Sequence, residues 1–233
     1  MAALARKLLV AVAEGDAGTA KSMAARGANL NVMSDAGDTA LLLATRGNHL
    51  AIVEDLVRRG ADLEAREQRF RWTALVLAAS KGYRDIAALL LEHRADPEAA
   101  GKDGETALML AALLGRTPVA EVLLEHGAEV DACADDGKRG LTHACYKGFW
   151  ATALCFVAHG ACLNLPDEGG RSPMAWAANR GHTDIVRFLA ERKADLEARD
   201  RLGWSSLMLA AHGGHLATVK CMAERRADPE VRG

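Results

Sequence analysis

Glycine and alanine recur at a fixed interval along this 233-residue chain, and that recurrence constrains the fold more than any other feature. One glycine series is spaced by 33 positions and comprises Gly104, Gly137, Gly170 and Gly203. A second series with the same spacing comprises Gly82, Gly115, Gly148, Gly181 and Gly214. An alanine closes each copy, at Ala28, Ala61, Ala95, Ala128, Ala161, Ala194 and Ala227. Seven alanines predict seven repeats, and short repeats bury their apolar faces only by stacking on neighbours.

The most regular copy, residues 102–132, indicates what one repeat folds into. Asp103-Gly104 is a turn signal, and Thr106 is placed to cap a helix that starts directly after it. Gly115 interrupts the apolar spacing, and a second apolar stripe then runs to Gly127. Each repeat is therefore predicted to be a turn followed by two helices.

A 33-residue turn-helix-helix unit with a Thr-Pro-Leu-His-x-Ala signature resembles the ankyrin repeat family. The matching segments are Thr39-Ala40-Leu41, Thr73-Ala74-Leu75, Thr106-Ala107-Leu108, Ser172-Pro173-Met174, Gly181-His182 and Gly60-Ala61-Asp62. The signature proline survives only at Pro173, and the fifth copy reads Arg139-Gly140-Leu141-Thr142. The resemblance covers essentially the whole chain. It implies an all-α solenoid of stacked helix-turn-helix repeats with β-turn fingers.

We expect a single domain over residues 1–233. The predicted repeats are 1–33, an amino-terminal cap with helices near 3–13 and 17–25, then 34–66, 67–100, 101–133, 134–166, 167–199 and 200–233. One extra residue falls in the segment before Thr73, where Arg71 replaces the turn glycine, so this finger should differ from the others. Asn48 fills the interhelix glycine slot of the second copy. Arg94, Lys193 and Arg226 stand where other copies have the closing glycine, and a left-handed backbone there would cost about 1 kcal/mol each.

Composition narrows the possible functions. The formal net charge is −2 with acids and bases well mixed, so we expect no nucleic-acid partner. The longest nearly apolar run, 107–114, is too short for membrane insertion. The five cysteines have no Cys-x-x-Cys spacing and predict free thiols in a reducing compartment, the cytoplasm or alternatively the nucleus. They are Cys133, Cys145, Cys155, Cys162 and Cys221.

No motif predicts catalysis, a metal or a cofactor. Residues 15–22 nearly match a phosphate-binding loop, which would make the protein a nucleotide-binding enzyme, but Ala20 replaces a required glycine. The repeat spacing explains this segment better, with Gly15 in the interhelix turn, Ala20 in the core and Lys21 facing solvent. The resemblance also implies that His49, His182 and His215 hydrogen-bond the backbone.

The resemblance implies a non-catalytic, monomeric protein-binding module that grips a partner protein or peptide along a concave groove and its finger tips. Candidate contacts are the residues that vary between copies after the turn glycine and before the interhelix glycine. They are Phe70, Trp72, Lys81, Leu113, Leu114, Lys138, Tyr146, Lys147, Arg171, Arg180, Leu202, Trp204 and His212.

Several alternatives remain open. Trp72 and Trp204 can instead pack on adjacent fingers, and Phe149 and Trp150 are interpreted as structural. Asn31 and Asn164 occupy a position that is sometimes hydroxylated in this family. The whole chain can also be a targeting domain of a larger enzyme or channel, or an engineered repeat binder.

Overall fold

The computed structural model describes residues 2–227, so Met1 and residues 228–233 at the end of the predicted seventh repeat lie outside the described part. Every element named there is a helix, as the all-α prediction requires. The helices are α1 (Ala2–Glu14), α2 (Ala17–Ala25), α3 (Ala40–Arg46), α4 (Leu50–Arg58), α5 (Ala74–Lys81), α6 (Arg84–Glu92), α7 (Ala107–Leu113), α8 (Thr117–Glu125), α9 (Gly140–Lys147), α10 (Trp150–Ala158), α11 (Pro173–Asn179), α12 (Thr183–Glu191), α13 (Ser206–His212) and α14 (Leu216–Ala227). They form one pair per predicted repeat.

Most first helices start at a hydroxyl cap. The side chains of Thr39, Thr73, Ser172 and Ser205 each accept a hydrogen bond from the backbone N–H three residues on. The fifth repeat differs because Arg139 precedes α9 and makes no side-chain cap.

The fifth repeat also departs from the family signature at Gly140, and the core explains why. A Cβ atom at Gly140 would overlap the ring of Phe156, a fully buried side chain of α10. Only glycine leaves room for that ring in the present packing.

The fingers between repeats are tight turns. Isolated β-bridges close three of them, Met33 with Thr39, Cys133 with Arg139, and Arg199 with Ser205. In the regular fingers an N–H donates to the carbonyl four residues on, as Ser34 does to Asp38. The finger before α5 instead joins Glu67 N–H to the Trp72 carbonyl, five residues on, which places the predicted extra residue in this turn.

Positive φ angles follow the repeat pattern even where glycine is missing. Asn48 and Arg71 adopt φ of 58° and 57° in glycine slots, and Arg94 and Lys193 adopt 69° and 61°. The left-handed conformation expected at Arg94 and Lys193 is therefore confirmed. The same expectation at Arg226 was wrong, because the backbone there continues as the helix α14. Arg71 also keeps the turn conformation, so its finger differs in length and not in how the turn ends.

Backbone contacts divide the chain into two compact units. The first comprises Met1–Ala111 with Pro118–Ala128, and the second comprises Ala112–Thr117 with Glu129–Gly233. In the first unit Leu41, Leu75, Ile86 and Leu90 are almost fully buried. In the second unit the core contains Leu141, Phe156, Met174, Val186 and Leu189. Residues 2–227 contain no helix with the length and apolar character needed to cross a bilayer.

Candidate partner-binding face

In the first unit, the predicted contact residues lie on the irregular finger and at the end of α5. Phe70 is 38% exposed, and its ring stacks on Trp72 with centroids 4.8 Å apart. The Arg69 guanidinium lies 4.8 Å from the centroid of the Phe70 ring. Lys81 is exposed in the last turn of α5.

Trp72 is half-buried and packs on the following finger. A Cβ at Gly101 would lie 2.8 Å from Trp72 Cδ1, so the indole occupies the space that a side chain there would need. Lys102 N–H donates to the Phe70 carbonyl at 2.8 Å, which joins the two fingers directly. Trp72 therefore makes the finger-to-finger contact that the sequence left open as an alternative, while Phe70 stays at the surface.

The irregular finger is held by one buried carboxylate. Glu67 accepts hydrogen bonds from the backbone N–H groups of Arg69, Phe70 and Trp72. Burial raises the pKa of Glu67, whereas these three N–H groups and the charge of Arg46 lower it. The lowering effects are larger together, so the pKa lies below the ordinary 4.5.

The second unit presents a face built from α9, α11 and α13, the first helices of the last three repeats, which we call the first-helix face. The α9 helix packs on α11, and α11 packs on α13. Tyr146 and Lys147 end α9, Arg180 caps α11, and His212 ends α13. The sequence prediction placed all four at a partner surface, and the fold brings them to the same ends of packed helices.

Tyr146 and Arg180 form the centre of this face. An Arg180 Nη atom donates to the Tyr146 hydroxyl at 2.8 Å, and its guanidinium carbon lies 4.4 Å from the ring centroid. Lys147 Nζ lies 5.2 Å from the same centroid. Tyr146 is half-buried, whereas Lys147 and Arg180 are exposed. The tyrosine ring therefore lies between two cations from adjacent repeats.

Trp176 supports Tyr146 and was missed by the sequence reasoning. Its ring meets Tyr146 edge to face at 5.1 Å, and its Nε1 donates to Asp167 at 2.8 Å. Arg171 lies 4.8 Å from the Trp176 centroid. Comparing the repeats could have identified Trp176, because it fills a slot that holds leucine in most copies, as at Leu110.

Asp200 connects the sixth and seventh repeats on this face. It accepts hydrogen bonds from the N–H groups of Leu202 and Trp204 and from Arg171 Nε at 3.3 Å. Burial would raise the pKa of Asp200, but the Trp204 and Leu202 N–H groups and Arg171 outweigh it, so its net pKa lies below 3.8. The carboxylate stays charged and holds the Arg171 side chain in place.

The remaining predicted residues of the second unit lie on the fingers or at the end of α7. Trp204 is half-buried, with its ring 5.1 Å from that of His212. Leu202 is 77% exposed at the finger tip. Lys138 forms an ion pair with Asp136 in the finger that precedes α9. Leu113 is half-buried and Leu114 is exposed at the end of α7.

His143 occupies in the fifth repeat the leucine slot that Trp176 occupies in the sixth, and its pKa is lowered. Burial lowers its pKa from 6.5 to about 4; Asp136 opposes this shift, and Lys138 and Lys147 add to it. His143 is therefore neutral at physiological pH, which argues for a packing role rather than acid-base chemistry.

Histidines of the interhelix turns connect repeats, as the resemblance implied. His182 Nε2 donates to the Tyr146 carbonyl at 3.2 Å, and His215 Nε2 donates to the Asn179 carbonyl at 3.0 Å. The His182 ring lies over Gly148 where a Cβ would clash, and His215 lies over Gly181 in the same way. His49 packs on Gly15 of the first repeat.

The two asparagines considered for modification have a structural contact. Asn31 Oδ1 accepts from Asp62 N–H at 3.0 Å, and Asn164 Oδ1 accepts from Asp195 N–H at 2.9 Å. Glu64 and Asp131 make the same contact in other repeats. The position therefore connects successive repeats whichever residue occupies it, and hydroxylation of the asparagines stays a prediction.

The phosphate-loop segment folds as a helix pair. Gly15 has a φ of 76° in the turn, Ala20 and Met23 are buried, and Lys21 is exposed. Phe149 packs on Gly115, and Trp150, although 43% exposed, meets the ring of Phe188 edge to face with centroids 5.0 Å apart. Across residues 2–227 no cluster of histidine, cysteine and carboxylate side chains is arranged to hold a metal ion, and none of the five cysteines in this range forms a disulfide bond.

These features define a helical repeat protein with a fixed aromatic and cationic face, and comparisons with known proteins agree with that class. The family model described as ankyrin repeats in three copies matches residues 8–101, 46–134, 94–167 and 141–232. The chain belongs to the ankyrin repeat family. The ankyrin repeat domain of Bcl-3 superposes with a TM-score of 0.84 at 27% identity, over 93% of this chain and 97% of that one.

Curated relatives are similar over shorter stretches. Protein phosphatase 1 regulatory subunit 27 of Mus musculus is 40% identical over 81 residues, which are 35% of this chain and 52% of that protein. Ankyrin repeat and KH domain-containing protein mask-1 of Caenorhabditis elegans is 35% identical over 101 residues, 43% of this chain and 4% of that protein. The 2-5A-dependent ribonuclease of Mus musculus is 38% identical over 80 residues, 34% of this chain and 11% of that protein. The matched segments therefore span about half or less of these relatives. Ankyrin repeat domains are protein-interaction modules and are generally non-catalytic.

Proposed function

We propose that this chain is a non-catalytic protein-binding module whose partner protein or peptide contacts the first-helix face of the second unit. The observation that carries the proposal is the Tyr146 ring, which is held by Trp176 and Arg180 while its surroundings stay open to solvent. Half-exposed aromatic and arginine side chains are the residues that most often dominate binding energy at interfaces. Because these side chains are already held in place, binding loses little conformational entropy.

The irregular finger of the first unit is a second contact in this proposal. Phe70 offers an exposed ring beside Arg69, and Lys81 adds an exposed charge at the end of α5. Trp72 contributes mainly by fixing the position of Phe70, since its own ring is packed on Gly101.

A second candidate function is a targeting or regulatory domain of a larger protein. Two similar proteins carry enzyme names, the 2-5A-dependent ribonuclease and glycerophosphocholine phosphodiesterase GDE1 of Candida albicans, and the matches cover only 11% and 6% of them. In that case the same face would serve to select the partner of the larger protein.

The test is affinity capture with the full chain, followed by mass spectrometry. We expect Tyr146→Ala with Trp204→Ala to lose the proteins recovered by the native chain. The matched control is Trp150→Ala with Leu154→Ala, which removes side chains 43% and 41% exposed on α10, a second helix and not one of the three that form the first-helix face. Unchanged recovery by the Tyr146/Trp204 variant, with thermal unfolding showing that it is folded, would overturn the proposal.

A further inference from the structure

Building on the proposed function, we infer that the partner segment seated on α9 and α11 is acidic and extended, and that its carboxylates pair with Lys147 and Arg180 across the Tyr146 ring. The inference concerns the chemistry of the partner and follows from how charge is distributed on the first-helix face.

The two cations of this site keep their charge available. Arg180 donates to a neutral hydroxyl, and Lys147 lies over an aromatic ring. Neither belongs to an ion pair within residues 2–227, whereas the nearby Arg171 and Lys138 do, with Asp200 and Asp136. A guanidinium has five N–H donors in a fork that suits a carboxylate, and Tyr146 uses one of the two Nη atoms.

The carboxylates next to the site cannot neutralise these cations. Asp167 is buried and accepts from Trp176 Nε1 and from the Arg171 N–H. Asp200 is buried and occupied by two backbone N–H groups and Arg171. The two acids that bind Arg171, Asp167 and Asp200, are therefore buried, while Lys147 and Arg180 remain exposed for an acidic ligand.

The spacing suits an extended chain. Lys147 and Arg180 lie at the ends of packed helices, whose axes are about 8–10 Å apart. Side chains on one side of an extended strand recur about every 7 Å, so two acidic residues in alternate positions can each reach one cation. His212 at the end of α13 continues the row by one repeat.

A nucleic acid fits this face less well than an acidic peptide. Asp135, Asp136 and Glu168 are exposed on the fingers of the same repeats and would repel a continuous row of phosphates. The whole chain also has a net charge of −2. Two cations beside one aromatic ring suit a short segment with few charges.

The probe is an end-blocked, fluorescein-labelled peptide in which glutamate alternates with serine, measured by anisotropy with the full chain at low salt. The matched peptide has glutamine in place of glutamate. Lys147→Gln with Arg180→Gln should weaken binding of the glutamate peptide about five- to tenfold, because both ion pairs are lost and exposed ion pairs are individually weak. Arg187→Gln with Lys220→Gln removes two exposed charges from α12 and α14 and should change binding less than about twofold.

Several results would overturn the inference. These are no measurable binding of the glutamate peptide, equal binding of the glutamine peptide, equal loss in both charge variants, or displacement by a single-stranded oligonucleotide at lower concentration than unlabelled peptide. Affinity capture separates this inference from the proposed function. If the Tyr146/Trp204 variant loses its partners and the Lys147/Arg180 variant keeps them all, protein binding stands and the acidic segment is wrong. Retention by both variants would overturn both.

Discussion

The indole of Trp72 lies against Gly101 of the next finger, where an added Cβ would stand 2.8 Å from Cδ1 and 2.9 Å from Nε1. Trp72 Nε1 is buried in this contact without a hydrogen-bond partner among the described residues. The finger that departs from the repeat spacing is therefore packed on the next finger through an aromatic ring. Trp72, a candidate partner contact from the sequence, therefore serves the fold.

Gly101→Ala is expected to destabilise the protein by about 1–3 kcal/mol, because the new methyl group must displace the Trp72 ring. Urea unfolding followed by circular dichroism measures the change. Gly18→Ala is the control, since its Cβ would approach nothing closer than 3.4 Å and alanine favours the helix there. In a Trp72→Ala background the cost of Gly101→Ala should largely disappear; a cost that persists would place its origin elsewhere.

Glu67→Gln should destabilise the protein by about 1–2 kcal/mol at neutral pH, because three backbone N–H groups lose a charged acceptor. The folded pKa lies below 4.5, so the contribution of the carboxylate is present above that pH and is lost as the pH falls through the folded value. The difference from the native protein, measured by urea unfolding, should therefore shrink in acid. Glu168→Gln, on an exposed finger carboxylate, should have little effect at any pH.

His143→Leu should make stability less sensitive to acid. The folded pKa of His143 is about 4 against an ordinary 6.5, so the unfolded chain binds the proton more readily between these values. The contribution of His143 to the free energy of unfolding is therefore complete above pH 6.5. It decreases as the pH falls towards 4, by at most about 3 kcal/mol. The difference between His143→Leu and the native protein should widen over that window in thermal unfolding. Parallel pH profiles would contradict the assignment, and His93→Gln on an exposed histidine is the control.

Arg94→Gly and Lys193→Gly should each stabilise the protein by about 1 kcal/mol, because both residues adopt left-handed φ angles of 69° and 61°. Differential scanning calorimetry should show a higher midpoint for each variant. His93→Gly places the same new residue at a φ of −93°, where glycine has no conformational advantage, and should lower stability. A decrease in all three variants would mean that chain entropy outweighs the strain.

The repeat count, the helix pairs and the turn positions could be predicted because each depends on local sequence. Asn48, Arg71, Arg94 and Lys193 show how far this extends, since the repeat spacing alone identified them as glycine substitutes and all four have positive φ. Arg226 was identified in the same way, but it lies within α14. The structural interpretation of residues 15–22 was correct for the same reason. Turn geometry and helix capping involve residues only a few positions apart.

The candidate face was predicted only in part. Tyr146, Lys147, Arg180 and His212 follow from their slots in the repeat, but Trp176 was overlooked because its slot usually holds a buried leucine. Spacing places a residue on a face, whereas exposure depends on the sizes of neighbours from other repeats. Trp72 and Trp204 illustrate the difference, since equivalent slots lead one ring to Gly101 and the other to His212.

The sequence by itself determined the architecture, because a 33-residue period and its glycines specify a local unit that can only stack. The tertiary structure alone decided which side chains are available to a partner. Arg171 and Arg180 are both cations of the sixth repeat, yet Asp200 neutralises the first, while the second donates to the hydroxyl of Tyr146 and lies against its ring. That distinction depends on contacts across repeats, about thirty positions apart, which no local pattern encodes.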